Sequence, residues 1–267
     1  MRPLVILRSH KYNQRTREVL AERQGSRAYD LLLSFDVTQA HYPPFSPTLP
    51  FDAKDVATIG LRRDAPQLFW RCGDLPLYLA RAAFPQHDPL IQLDYDIAFP
   101  KGAREALELV LRRWAEHPAR PGMIGSWLGP RWDGWMWHAD ACRVFPEVLG
   151  CLLAFIGLSA AAVDVCLDAR REEQSSVGYD PRRAMNAEAL MPSAVQAAGL
   201  GILCLSALLP SSIATDSFYP SQPDLSMPNF LASEVQRAFP ERLMVQPALD
   251  AEEHAARIRA AQALRRG

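Results

Sequence analysis

The sequence predicts an α/β protein with a mostly parallel central sheet flanked by helices on both faces, and three observations predict it. Short apolar runs such as Leu4-Val5-Ile6-Leu7 and Leu31-Leu32-Leu33 have no polar alternation, which suits strands covered on both sides. They alternate along the chain with stretches whose charges gather on one helical face. A hydrophobic content of 49% over 267 residues is enough to bury one large core.

The elements follow in order. Residues 4–7 read as the first strand, and residues 14–23 as a helix with Val19 and Leu20 inward. Residues 30–37 are a second strand, followed at 43–50 by a loop too rich in proline for regular structure. Asp74 can cap a helix running to residue 83, with Pro76 tolerated in its first turn. A strand ending at Asp94 comes next, then a helix over 103–116 and strands near 123–127 and 149–156. Helices over 159–171 and 187–198 and a strand near 201–205 complete the domain, which the sequence places at 1–215. Residues 216–267 read as a C-terminal extension whose terminal helix packs on that domain. No internal repeat is visible.

Composition narrows the function classes. The 29 Lys and Arg nearly balance the 30 Asp and Glu, so no overall basic field favours nucleic acid as a partner. The five cysteines are scattered without a C-x-x-C pair and read as reduced thiols of a cytoplasmic protein. The apolar start at residues 3–7 is too short for a signal peptide. The longest weakly polar run, 148–163, falls short of the roughly 20 residues of a membrane span and reads as a strand followed by a helix.

In open α/β sheets ligands bind beyond the carboxyl ends of the strands. After the first strand stand Arg8, Ser9 and His10, with Arg15 nearby; after the second, Asp36 and Thr38. After the third stand Asp94 and Asp96, in Leu93-Asp94-Tyr95-Asp96. In an extended backbone residues i and i+2 share a side, so both carboxylates can converge on one hard cation, Mn²⁺ or Mg²⁺. By itself an Asp-x-Asp more often marks a solvated strand end. Neither Gly-x-Gly-x-x-Gly nor a Walker A sequence occurs, which disfavours dinucleotide oxidoreductases and P-loop enzymes.

With Arg8-Ser9-His10 after the opening strand, an acid after the second, Trp70-Arg71-Cys72-Gly73-Asp74 leading into a helix and then Asp94-Tyr95-Asp96, residues 1–215 resemble a GT-A, nucleotide-diphospho-sugar type glycosyltransferase. The resemblance implies a Rossmann-like fold and transfer of a sugar from a nucleotide sugar to an acceptor hydroxyl on a glycan or lipid-linked sugar. It implies that Asp96 binds the metal directly while Asp94 touches the ribose or a metal-bound water. Arg8 and Arg15 could supplement the cation, although ordinary surface charge explains them equally well. The base such chemistry needs is often an acid at the start of a late helix, and Glu188 stands there. A helix start favours an acid through its dipole alone. The chain departs from the pattern in lacking a Glu-Asp pair at this point and in having Val245-Gln246-Pro247 where many relatives place a late histidine.

The segment 125–138 carries Trp127, Trp132, Trp135 and Trp137, four of the six tryptophans, among glycines. Indole faces beside polar groups suit sugar rings, with Trp132, Asp133, Trp135, Trp137 and His138 as substrate-binding candidates, although such clusters more often serve packing. Three rivals stand beside the transferase. Gly157-Leu158-Ser159 after an apolar strand mimics a nucleophile elbow, but Ser159 is better explained as a helix N-cap. Ser34-Phe35-Asp36-Val37-Thr38 partly mimics an aspartyl phosphatase motif. A glycosyltransferase-like scaffold that binds without turnover is the third. The tail at 250–266 is amphipathic enough to dock on the domain, on a partner or weakly on a membrane, with the domain as default.

Overall fold

A computed structural model describes residues 1–37, 45–62, 71–214, 217–219 and 230–264. Thr38, Pro43, Pro44 and Trp70 lie outside the described residues.

The chain runs β1 (Arg2–Ser9), α1 (Gln14–Arg23), β2 (Asp30–Asp36), β3 (Thr48–Phe51), α2 (Ala53–Thr58), α3 (Leu75–Ala83) and β4 (His87–Asp94). It continues through α4 (Ala103–Glu116), β5 (Met123–Pro130), α5 (His138–Ala141), β6 (Leu149–Leu158), α6 (Ala160–Ser175), α7 (Ala187–Ala197), β7 (Ile202–Cys204) and α8 (Leu205–Leu208). β8 (Phe230–Leu231), α9 (Ala232–Ala238), β9 (Ala248–Leu249) and α10 (Ala251–Leu264) close it. Seven strands form one sheet in the order β3-β2-β1-β4-β6-β5-β7, parallel except for β6, which runs antiparallel to both its neighbours. The predicted α/β class with a mostly parallel sheet is therefore the observed one.

Strand alternation divides the interior into two cores. Leu4 and Ile6 of β1 face residues of α2, α3, α6 and α7, among them Val56, Leu77, Val163 and Leu190. Val5 and Leu7 face α1, α4 and α8 through Val19, Leu107, Val110 and Leu205. Each such fully buried aliphatic side chain contributes about 1.5–3 kcal/mol, which is why these runs carry no polar residue.

Three local expectations need correction. The proline-rich loop contains a strand: β3 includes Pro50 and pairs in parallel with β2 through Phe35↔Pro50. Proline is tolerated there because β3 is the sheet edge, where one side of the backbone has no ladder to join. Asp74 stands at the start of α3 but makes no side-chain capping bond. Its fully buried carboxylate instead accepts from Tyr78 Oη at 2.6 Å and Arg170 Nη2 at 2.8 Å. Finally, the strand stops at Asp94, and Asp96 lies in a turn closed by Ile97 N–H donating to the Asp94 carbonyl at 3.3 Å. The turn, not the pleat, brings the second acid round.

The chain beyond β7 returns to this turn. Ala248 N–H donates to the Asp96 carbonyl at 2.6 Å, and Ala98 and Val245 form a bridge. The first turn of α10 is tied over the ends of β1 and β4 by Lys11–Glu253 at 2.6 Å and by Tyr95 Oη donating to Glu253 at 3.0 Å. No helix among the described residues is long and apolar enough to cross a membrane.

Arg170 joins two distant segments of the future site. Beside Asp74 it pairs with Glu173 at 2.9 Å and donates to the Met185 carbonyl, while Glu173 accepts from Met185 N–H. Removing one partner of a buried pair leaves the other charge uncompensated. Arg170→Met is expected to cost about 3–5 kcal/mol in urea unfolding. Adding Asp74→Asn should recover part of that loss.

Candidate active site

Asp94 and Arg8 are in-register partners on adjacent parallel strands, so their side chains leave the same face of the sheet. They meet as a two-pronged ion pair, Arg8 Nε to one Asp94 oxygen at 2.7 Å and Nη2 to the other at 2.9 Å. Arg8 Nη1 also donates to the Gly73 carbonyl at 3.3 Å, which Gln92 Nε2 reaches at 2.9 Å. Position 73 must be glycine for this approach, since a Cβ there would lie 2.2 Å from Arg8 Nη1 and 2.6 Å from Leu153.

Asp96 is only 6% exposed and is reached by Gln246 Nε2 at 3.3 Å to each carboxylate oxygen. Burial, and then the neighbouring Asp94 charge, push its carboxyl from 3.8 up to about 7, with Gln246 opposing the shift. Gln246 Oε1 is buried with no hydrogen-bond partner among the described residues. Among the described residues no group of three or more His, Cys, Asp or Glu gathers as a metal cage.

Glu188 arrives from the first turn of α7. Asn186 caps that helix by accepting from Glu188 N–H at 2.8 Å, and the Arg170–Glu173 clamp fixes Met185 just before it. Glu188 accepts from Trp137 Nε1 at 3.1 Å and Leu153 N–H at 3.3 Å, which orients both oxygens yet leaves each a lone pair. Burial raises its carboxyl above the usual range, against the pull of those two bonds and of Arg8.

Arg8, Asp94, Glu188 and Gln246 share a cleft of about 510 Å³ with Trp127, Trp132, Trp135, Trp137 and Arg131, floored by residues 151–154 of β6. That volume falls within the range of small-ligand sites. The arginine therefore caps one carboxylate without filling the space above it.

The other predicted residues separate. Arg15 is buried on α1 and donates to the Ile97 carbonyl at 3.0 Å, where it steadies the loop after Asp96 instead of facing the cleft. Asp36 is buried at the end of β2, away from the cleft wall. His10 is exposed and meets Tyr95 edge-on with centroids 5.6 Å apart. Asp133 projects into solvent, 3.5 Å from His138 Nε2, and takes no part in the wall. Ser159 caps α6 by accepting from Ala162 N–H. Because β6 is antiparallel, Ser159 lies at the edge of the sheet opposite the cleft, which removes the nucleophile-elbow reading.

Two residues of the wall were not singled out by sequence reasoning. Arg131 stands within the tryptophan segment, where a cation between indoles is the signal that marks it. Gln246 stands where the resemblance places a histidine, and nothing local in the sequence marks it as a partner of Asp96.

No family model matches this chain, and no curated protein matches it. Among solved structures it is similar to a glycosyltransferase involved in the glycosylation of the major capsid of PBCV-1, at 8% identity and a TM-score of 0.43 over 100% of both chains.

The Asp96 shift has a measurable consequence. Folded, this carboxyl keeps its proton to about pH 7; unfolded, it releases it near 3.8. The folded state then binds more protons across that window, so stability falls as pH rises through it. Without added divalent cation, unfolding free energy should decline between about pH 4 and 7, and Asp96→Asn should remove most of that slope in urea titrations.

Proposed function

We propose that this protein transfers a sugar from a nucleotide sugar to an acceptor hydroxyl, in the manner of a GT-A type glycosyltransferase. The observation that carries the reading is the convergence of Arg8, Asp94 and Glu188 around one cleft at the carboxyl edge of β1 and β4, with Asp96 buried and hydrogen-bonded to the lining residue Gln246. Cation and acids stand on one side, a buried oriented carboxylate stands beside them, and indole faces suited to sugar rings form the far wall.

The donor diphosphate lies against Arg8, whose remaining N–H groups point charge at the oxygens that become more negative as the glycosidic bond breaks. Asp94 holds the guanidinium in place. The acceptor hydroxyl meets Glu188, which takes its proton as the oxygen attacks the anomeric carbon. Its raised affinity for a proton improves it as a base, and the bonds from Trp137 and Leu153 keep it aimed. Trp132, Trp135 and Trp137 stack the sugars and exclude water.

A divalent cation, Mn²⁺ or Mg²⁺, fits one side of this arrangement. Asp96 is a buried acid whose hydrogen bonds come from an amide, and the unpartnered Gln246 Oε1 is a second hard oxygen beside it. Asp96 and Gln246 would hold the ion, with Asp94 shared with Arg8. When bound, such an ion supplies further positive charge for the departing diphosphate. The acceptor is a glycan or lipid-linked sugar.

One observation favours a second reading, a scaffold that binds a nucleotide sugar without turnover. Both acids already have protein partners, Arg8 on Asp94 and Gln246 on Asp96. Turnover decides between them.

Uridine or guanosine diphosphate with Mn²⁺, at about a hundredfold excess over Kd, should raise the melting temperature by about 5–10 °C. Asp96→Asn should lose the Mn²⁺-dependent part of that rise. Absence of a response to either nucleotide would sink the transferase and the scaffold together. Glu188→Gln is expected to keep nucleotide binding while lowering kcat by about 10²–10⁴ in a donor-consumption assay. Binding without consumption in the wild type would select the scaffold.

A further inference from the structure

On the far side of Trp127 and Arg131 lies a second cavity of about 370 Å³. Leu128, Leu205, Ile213, Ala214 and Phe218 give it an apolar lining, with Ser126 and Ser206 at its sides. Trp127 and Arg131 line both spaces, so they form the partition between this cavity and the main cleft.

The partition is built by an irregularity in β5. Its register against β6 shifts between Gly125 and Ser126 and again before Gly129. Within this bulge Trp127 has φ of +52°, a region that bulky side chains rarely adopt, and the ring is left 37% exposed. Arg131 returns to the bulge and donates to the Trp127 carbonyl, while its guanidinium stacks 5.3 Å from the centre of the Trp135 ring. Gly150 permits that stack: a Cβ there would lie 2.5 Å from Arg131 Nε and 2.7 Å from the Trp135 ring.

Arg131 differs in charge balance from the other arginine of the cleft. Arg8 is neutralised by Asp94. The Arg131 guanidinium donates to the carbonyls of Pro130 and Trp127, with no carboxylate within ion-pair distance among the described residues. β1 and β5 stand three places apart in the sheet, about 14 Å at ordinary strand spacing. Glu188 lines the same cleft as both guanidiniums. A donor held at Arg8 thus leaves Arg131 to a second ligand in the same cleft.

We propose that the acceptor is an anion with an apolar body, its negative group paired with Arg131 and its apolar part lodged in the second cavity behind Trp127. The word acceptor rests on the transfer reading above; the subsite does not. Two sources share this chemistry, a lipid phosphate and a sugar acid bearing an apolar substituent.

The test is calorimetric titration of the full chain with hexyl phosphate, hexyl glucuronide, neutral hexyl glucoside and inorganic phosphate. Both anionic hexyl compounds, or one of them, should bind at least about tenfold more tightly than the glucoside, about 1.4 kcal/mol. Inorganic phosphate should bind more weakly than hexyl phosphate. Preference for the phosphate identifies the lipid source, and preference for the glucuronide the sugar acid. Arg131→Gln should abolish the preference for charge, and Arg131→Lys should retain most of it. Equal binding of the neutral glucoside, or an unchanged preference in Arg131→Gln, overturns the proposal. Uridine diphosphate with Mn²⁺ serves as the fold control and should protect the wild type and Arg131→Gln alike. If nucleotide protects and the anions show no preference, this inference fails alone. If no nucleotide protects while Arg131 still selects anions, the transfer reading fails and the subsite stands.

Discussion

The cleft depends on one ion pair between neighbouring strands. Because β1 and β4 pair in register at Arg8 and Asp94, a cation and an anion leave the carboxyl edge of the sheet side by side. Each holds the other in a single orientation, and the glycine at 73 gives the guanidinium its room. A partly buried bidentate pair of this kind is worth more as a positioning device than as a source of stability, since its desolvation cost offsets much of its attraction. It presents N–H groups at a fixed place, as anion recognition requires.

Around that pair the fold arranges groups with opposite needs. Asp96, turned out of the strand, is buried near a like charge and has a neutral amide for its partner. Glu188 is buried as well, but is held by an indole and a backbone N–H. Burial shifts both carboxyls upward against the pull of those bonds, and unusual proton affinities near a cleft are a recognised mark of functional sites. The supporting clamp lies deeper: Arg170 ties the start of α3 to the chain entering α7, so the two edges of the cleft share one buried charge network.

The antiparallel strand shapes the other half. β6 reverses direction between β4 and β5, so its early residues floor the cleft while its end, with Ser159, emerges at the opposite edge. The bulge in β5 then lifts Trp127 between two cavities, and Arg131 braces it. Strained backbone of this sort persists only where surrounding structure enforces it, here the stack of Arg131 and Trp135 on Gly150.

The sequence by itself determined the layered α/β architecture, because that depends on local period and composition. Helices α1 and α4 match their predicted spans, and the apolar runs become the inner strands. It also placed Arg8, Asp94 and Glu188 at element ends, where the chain exposes polar groups after a buried run. Tertiary structure alone decided which of these meet. Arg15 and Asp36 repeat the residue types of Arg8 and Asp94, yet one is buried on α1 and bonded to the Ile97 carbonyl and the other, at the end of β2, lies outside the cleft. Gln246 reaches Asp96 across 150 residues, and Arg131 meets the Trp127 carbonyl where β5 bulges. Contacts of that separation depend on strand register, strand direction and chain return, and no window of neighbouring residues encodes them.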